Sequence, residues 1–115
     1  MAHRILLVDD EVAIRTVVAR ALRFEEYDVV EAANGLQAWK LVKENRFDLV
    51  VTDSRMPRLS GYQLTALVRE LHPTMPILRL SGSHNPGSNE IGTRTLFKPF
   101  EIPDLVEAVR SLLAG

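Results

Sequence analysis

"ILLVDDEV", residues 5–12, joins a short apolar run to three consecutive acidic residues, and this junction decides the fold. The aliphatic residues 5–8 suit a buried strand. Asp9, Asp10 and Glu11 repel one another, and burying even one unpaired charge costs free energy. A cation bound beside the carboxylates would offset both costs. The junction therefore predicts a buried strand that ends in an acidic site.

The overall composition is that of a soluble globular domain. The chain has 115 residues, 46% of them hydrophobic and 25% charged, with a net charge of −1 and no cysteine. These values predict one domain, 1–115, without a nucleic-acid footprint, disulfides or thiolate metal ligands. No signal sequence is evident, and no apolar stretch approaches the roughly 20 residues of a membrane span. We expect a cytoplasmic domain that binds neither nucleic acid nor membrane.

Short apolar runs alternate with segments of helical periodicity. The runs are ILLV (5–8), DVVEA (28–32), LVVT (49–52), ILRL (77–80) and TLF (95–97). Apolar residues recur at helical spacing within 14–22, 38–42, 64–71 and 105–113. This alternation predicts an α/β domain with a doubly wound, five-stranded parallel sheet in the flavodoxin-like order 2-1-3-4-5.

One segment breaks the alternation. "SGSHNPGSNEIGTR", residues 81–94, is rich in Gly, Ser, Asn and Pro and has no apolar stripe. Such composition is typical of a loop. We therefore expect the fourth helix to be shortened or replaced by a loop over 81–94.

Three carboxylates follow strands that flank the centre of the predicted sheet. Asp9 and Asp10 follow the first strand, and Asp53 follows the third. In an open α/β sheet ligands bind at the carboxyl ends of the strands where the strand order reverses. Clustered carboxylate oxygens without thiolates suit Mg²⁺ or Mn²⁺. Helix capping could explain one of the first two acids, but hardly both together with Asp53.

Two further polar residues fall at the same edge of the sheet. Ser81 follows the fourth strand and Lys98 follows the fifth. Taken singly, they would be a turn former and a solvated surface residue. Beside a metal site they suit phosphoryl transfer, in which Asp53 attacks phosphorus and becomes an aspartyl phosphate. The cation and Lys98 would neutralise charge on the phosphoryl oxygens, and Ser81 could donate a hydrogen bond to one of them.

Over nearly its whole length the sequence resembles the receiver domain of two-component response regulators. The resemblance rests on LLVDDE (6–11), EAANGLQAWKLV (31–42), DLVVTDSRMPRLSGYQL (48–64), MPILRLSG (75–82) and LFKPF (96–100). It implies a phosphoacceptor domain that takes a phosphoryl group from a sensor histidine kinase or a histidine phosphotransfer protein. The domain then switches conformation to control a partner or an output domain. The resemblance also implies that the domain is not a classical enzyme and that it catalyses its own phosphorylation and dephosphorylation at Asp53.

The resemblance also assigns roles to the acidic cluster. Asp53 matches the phosphate-accepting residue and a metal ligand. Asp10 matches a direct Mg²⁺ ligand, and Asp9 an acid that holds the metal mostly through water. Arg55 matches the position whose backbone carbonyl is a ligand. The Arg55 side chain then either pairs with phosphate oxygens or is solvated.

The assignments outside the cluster include departures from the family pattern. Lys98 matches the phosphate-contacting lysine, followed by a peptide to Pro99 that is usually cis, and Ser81 matches the switch hydroxyl. Thr95 occupies the position of the switch aromatic, and Arg79 a strand position that is usually apolar. We expect Arg79 to share the face of Ser81, where a missing helix leaves thin cover. Segment 81–94 would then be the mobile element, and the usual dimer through the last two helices would be absent or rebuilt.

Other functions stay open on the sequence alone. An aspartate-nucleophile phosphatase would carry a second acid two residues after the nucleophile, and Arg55 stands there. A pseudo-receiver would be an interaction module that no longer accepts phosphate, but Asp53 and Lys98 are both present. A flavin-binding domain is disfavoured because VDDEVA (8–13) places acids where a phosphate-binding loop would lie. The sequence does not decide whether the domain stands alone or belongs to a longer protein.

Overall fold

A single parallel sheet organises the computed structural model, which describes residues 2–82 and 92–115. Its strands are β1 (Arg4–Val8), β2 (Asp28–Ala32), β3 (Leu49–Asp53), β4 (Ile77–Ser81) and β5 (Thr93–Phe97). The helices are α1 (Val12–Phe24), α2 (Gly35–Glu44), α3 (Gly61–Leu71) and α4 (Ile102–Ala114). The strand order is β2-β1-β3-β4-β5, which confirms the predicted doubly wound, flavodoxin-like fold.

The bounds of β1 to β4 agree with the predicted apolar runs to within one residue, and each predicted helical stripe lies inside an observed helix. Among the strands the largest difference is at β5, which begins at Thr93 rather than at Thr95 because the polar residues 93 and 94 also pair with β4. Ser81, Thr93 and Arg94 of the predicted 81–94 loop are therefore strand residues. The prediction that a helix is shortened or replaced there otherwise falls on residues 83–91, outside the described residues.

Apolar layers cover both faces of the sheet. On β1, Ile5 and Leu7 pack with α1 and α4, whereas Leu6 and Val8 pack with α2 and α3. All four side chains are fully buried. This is why the strand reads as a continuous apolar run. Replacing such a leucine by alanine typically costs about 2–5 kcal/mol, so the strand ends that carry the polar residues are firmly held.

Helix α3 begins close against the end of β3. The Ser60 hydroxyl accepts a hydrogen bond from the Gln63 amide, and the Gln63 side chain accepts one from the Ser60 amide, which forms a capping box. The Gly61 amide donates to the Ser54 carbonyl at 3.0 Å. A Cβ at Gly61 would lie 2.1 Å from the Asp53 carbonyl oxygen, so only glycine permits this approach.

Among the helices of the described residues, none has the length and apolar character that crossing a bilayer requires.

Candidate functional site

Three carboxylates meet at the carboxyl ends of β1 and β3. Val8 pairs with Thr52, so the residues that follow them along the two strands lie side by side. Asp9, Asp10 and Asp53 each offer one oxygen, and these oxygens lie within 4.8 Å of one another. Asp9 and Asp53 are buried, and Asp10 is exposed. The predicted clustering of these three acids is confirmed.

Asp9 is held at every polar group except one. Its amide donates to the Ala32 carbonyl at 3.2 Å, and its Oδ1 accepts from the Glu11 amide at 2.9 Å. Its carbonyl accepts from Arg15 Nη1 at 2.7 Å. Its Oδ2 is buried and has no hydrogen-bond partner among the described residues. The Glu11 amide therefore accounts for one oxygen of Asp9, although Glu11 and not Asp9 is the N-cap residue of α1. A cation bound between the acids, or a water molecule on it, would satisfy the other oxygen.

The burial of Asp9 changes its titration. Burial raises the pKa of Asp9 from 3.8 to about 6, opposed by the Glu11 hydrogen bond and assisted by the negative charge of Asp53. The positive charge of Lys98 also lowers this pKa. In the metal-free protein, the ionised form of Asp9 is thus less stable than it is in the unfolded chain.

We expect Asp9 to make the metal-free protein less stable as the pH rises from about 4 to about 6. In this window the folded state binds more protons at Asp9 than the unfolded state, so stability falls through it. The loss should be about 1–2 kcal/mol, because solvent near the site screens part of the effect. Urea unfolding at several pH values, with and without Asp9→Asn, measures it. The same pH slope in both proteins would contradict the assignment.

Lys98 lies beside Asp53, as predicted. Its Nζ is 3.3 Å from Asp53 Oδ1 and 3.9 Å from Glu11 Oε1. The Lys98–Pro99 peptide is cis, as the resemblance implies. The Lys98 amide donates to the Ser81 carbonyl at 2.7 Å, so the ends of β4 and β5 are tied together. Ser81 itself is buried at the end of β4, one residue beyond the Asp53 partner Leu80.

Arg55 occupies the loop after β3. Its side chain is exposed, and its amide points toward Asp53 Oδ1 at 3.5 Å. The role of its backbone carbonyl as a metal ligand stays a prediction.

The sequence did not reveal the environment of Arg79. This residue is 4% exposed, and its guanidinium carbon lies 4.6 Å from the centroid of the Tyr62 ring. The expectation of thin cover is therefore wrong, since an aromatic ring of α3 packs on the cation. Thr95 is the neighbour of Arg79 on β5 and is half-buried.

Arg15 was also missed as a contributor to the site. Arg15 donates a hydrogen bond to the backbone carbonyl of Asp9. Because every residue has a backbone carbonyl, the residue types alone do not indicate this contact. The available signal was a basic residue on the first turn of the helix that follows the acids.

Comparisons with known proteins agree with this geometry. The family model described as the response regulator receiver domain matches residues 5–110. Response regulator MprA of Mycobacterium sp. (strain KMS) is 36% identical over 118 residues, covering 98% of this chain and 51% of that protein. MprA of Mycobacterium leprae (strain TN) is 35% identical over 115 residues, covering 96% and 50%. The chain thus spans about half the length of these curated relatives.

Two solved structures extend the comparison to three dimensions. The receiver domain of the hybrid histidine kinase CckA has a TM-score of 0.84 and 38% identity, covering 96% of this chain and 98% of that one. The receiver domain of the sensor histidine kinase PA1611 from Pseudomonas aeruginosa PAO1 has a TM-score of 0.89 and 28% identity, with full coverage of both chains. That structure has a magnesium ion coordinated in its active-site cleft.

Proposed function

The chain belongs to the response regulator receiver domain family, and we propose that it acts in phosphorelay signalling by accepting a phosphoryl group on Asp53. The observation that carries this proposal is the convergence of three carboxylates and one ammonium at the same edge of the sheet, with Lys98 Nζ 3.3 Å from Asp53 Oδ1. Modification by acetyl phosphate, a small phosphoryl donor, in the presence of Mg²⁺ tests it directly.

The transfer forms one bond and breaks one. An Asp53 carboxylate oxygen forms the new P–O bond, and the P–N bond to the donor imidazole breaks with its electron pair kept on that nitrogen. Lys98 is in place to pair with a phosphoryl oxygen. Ser81, on the neighbouring strand, supplies a hydroxyl to another oxygen. Positioning and charge neutralisation do most of the work in such transfers.

The acidic cluster fits a divalent cation, for which we propose Mg²⁺, or Mn²⁺ in its place. Asp10, Asp53 and the backbone carbonyl of Arg55 would be direct ligands, and Asp9 would hold the ion mostly through water. Two observations support this choice: the buried Oδ2 of Asp9, to which no described residue donates a hydrogen bond, and the all-oxygen donor set. When bound, the ion supplies positive charge to the phosphoryl oxygens.

We expect Asp10→Ala to weaken Mg²⁺ binding by at least about tenfold and Asp9→Ala by less. Asp10 is exposed and offers its carboxylate freely, whereas one oxygen of Asp9 is already bonded to the Glu11 amide. Isothermal titration with Mg²⁺ compares the two variants. Asp104→Ala, an exposed acid on α4, serves as the control for loss of one negative charge. Equal losses for the Asp9 and Asp10 variants would remove the distinction.

The phosphoryl donor that we propose is a sensor histidine kinase or a histidine phosphotransfer protein. Because the chain spans about half of its curated relatives, an output domain or a separate partner would carry the response. We also propose that the domain works in the cytoplasm and catalyses its own phosphorylation and dephosphorylation. The contact between Lys98 and Asp53 argues against a pseudo-receiver. The exposed Arg55, in place of a second acid, argues against a phosphatase.

A further inference from the structure

A chain of hydrogen bonds links the edge strand β2 to the acidic turn after β1. Arg23 Nη2 donates to the Val29 carbonyl at 2.9 Å, and its Nη1 donates to Glu31 Oε2 at 3.1 Å. Arg15 Nε donates to the other Glu31 oxygen at 3.2 Å, and its Nη1 donates to the Asp9 carbonyl at 2.7 Å. Both Glu31 oxygens are thus occupied by arginines, and one of these arginines reaches the site.

We propose that Arg15 is a positioning residue that holds the Asp9–Asp10 peptide in the orientation needed for cation binding. The inference rests on the proposed function. Because a peptide unit is planar, the direction of the Asp9 carbonyl also sets the direction of the Asp10 amide and the position of the Asp10 Cα. Arg15, on α1, donates a hydrogen bond to this carbonyl. It thereby sets the position of the Asp10 backbone, from which the exposed carboxylate extends.

The other groups of Asp9 leave this peptide dependent on Arg15. The Asp9 amide is fixed by Ala32, and its Oδ1 is fixed by the Glu11 amide. No further partner of the Asp9 carbonyl is seen in the part of the chain that the structure describes. Loss of the Arg15 bond would free the peptide to rotate while both strands stay in place.

An arginine suits this position better than a lysine. A guanidinium is a planar fork that donates in two directions from one rigid group. Here Nε faces Glu31 and Nη1 faces the Asp9 carbonyl, and the side chain is only 17% exposed. Glu31 fixes the plane of the guanidinium, which in turn aims the second bond. An ammonium would carry the same charge but would lack this geometry.

The test measures Mn²⁺ affinity by titration with electron paramagnetic resonance, on variants shown by circular dichroism to be folded at the same temperature. Arg15→Met should weaken Mn²⁺ binding about tenfold, a loss typical of groups that orient metal ligands without touching the metal. Glu31→Gln should lower the affinity in the same direction by a smaller factor. The Asp10 amide resonance of the metal-free Arg15→Met protein should also shift.

Arg20→Met provides the matched control. Arg20 is exposed on the same helix and has no ion pair or hydrogen bond with any described residue. Its replacement therefore removes one positive charge but leaves the hydrogen bonds to Asp9 and Glu31 intact. Its Mn²⁺ affinity should stay within about twofold of the wild type, since distant exposed charges are screened. An equal loss in Arg20→Met and Arg15→Met would overturn the proposal, because charge alone would then explain the effect.

If Arg15→Met does not fold, Arg15→Lys provides the test. It retains the charge, so a clear loss of Mn²⁺ affinity supports positioning, and wild-type affinity overturns it. Wild-type affinity in a folded Arg15→Met protein overturns this inference alone. Absence of Mn²⁺ binding by the wild type overturns the proposed function and this inference with it.

Discussion

Asp53→Asn should abolish the gain of one phosphoryl group that the wild type shows with acetyl phosphate or phosphoramidate and Mg²⁺. The amide is a poor nucleophile and carries no charge for Lys98 or a cation to pair with, while it nearly keeps the shape of the buried side chain. Intact-protein mass spectrometry over time measures the modification. Without Mg²⁺, the wild type should also stay largely unmodified, because the phosphoryl oxygens then lack most of their counter-charge.

Asp104→Asn is the control for this experiment. Asp104 lies exposed in the first turn of α4 and should be replaceable with no change in the rate of modification. If Asp53→Asn gained the same mass at a rate comparable to the wild type, the phosphoryl group would be on another residue and the assignment of Asp53 would be wrong.

Gly61→Ala should lower the free energy of unfolding by about 3 kcal/mol, at the upper end of what one methyl group costs in a tightly packed place. The added Cβ would lie 2.1 Å from the Asp53 carbonyl oxygen and 2.8 Å from the Ser54 Cα. Both are backbone atoms, so no side chain can rotate away, and either α3 or the end of β3 must move. Urea unfolding measures the loss. The rate of phosphorylation should fall as well, because the displaced strand end carries Asp53.

Gly82→Ala separates this steric effect from the general effect of removing a glycine. A Cβ at Gly82 would meet no described atom within 4 Å. This variant should change stability by less than about 1 kcal/mol, since mainly the unfolded chain is affected. Equal unfolding midpoints for Gly61→Ala and the wild type would show that α3 is not pressed against β3 in solution.

Much of the fold could be predicted because the apolar runs and the helical periodicity of the sequence correspond directly to strands and helices of the structure. Strands β1 to β4 were predicted to within a residue, because strands buried on both faces read as continuous apolar runs. The strand order follows from regular alternation with helices. The meeting of Asp9, Asp10 and Asp53 was predictable because parallel strands present their carboxyl ends at one edge.

What the sequence could not predict depends on contacts to backbone atoms or between distant elements. Arg15 acts on a carbonyl, and every residue has one, so no residue type marks the target. The need for Gly61 arises only once α3 lies against the Asp53 carbonyl. Arg79 resembles a surface residue until Tyr62 of α3 is known to stack on it. The start of β5 was missed because polar residues can pair in a sheet as well as apolar ones.

Helices α1 and α3 both touch the backbone of the acidic site, and they lie on opposite faces of the sheet. Helix α1 reaches the Asp9 carbonyl through Arg15, and α3 abuts the Asp53 carbonyl through Gly61. Fluorescent reporters attached to the outer surfaces of these helices would therefore each respond to events at the strand ends through a short and separate set of contacts. Two independent optical signals from one binding event would make the chain a suitable scaffold for a ratiometric biosensor.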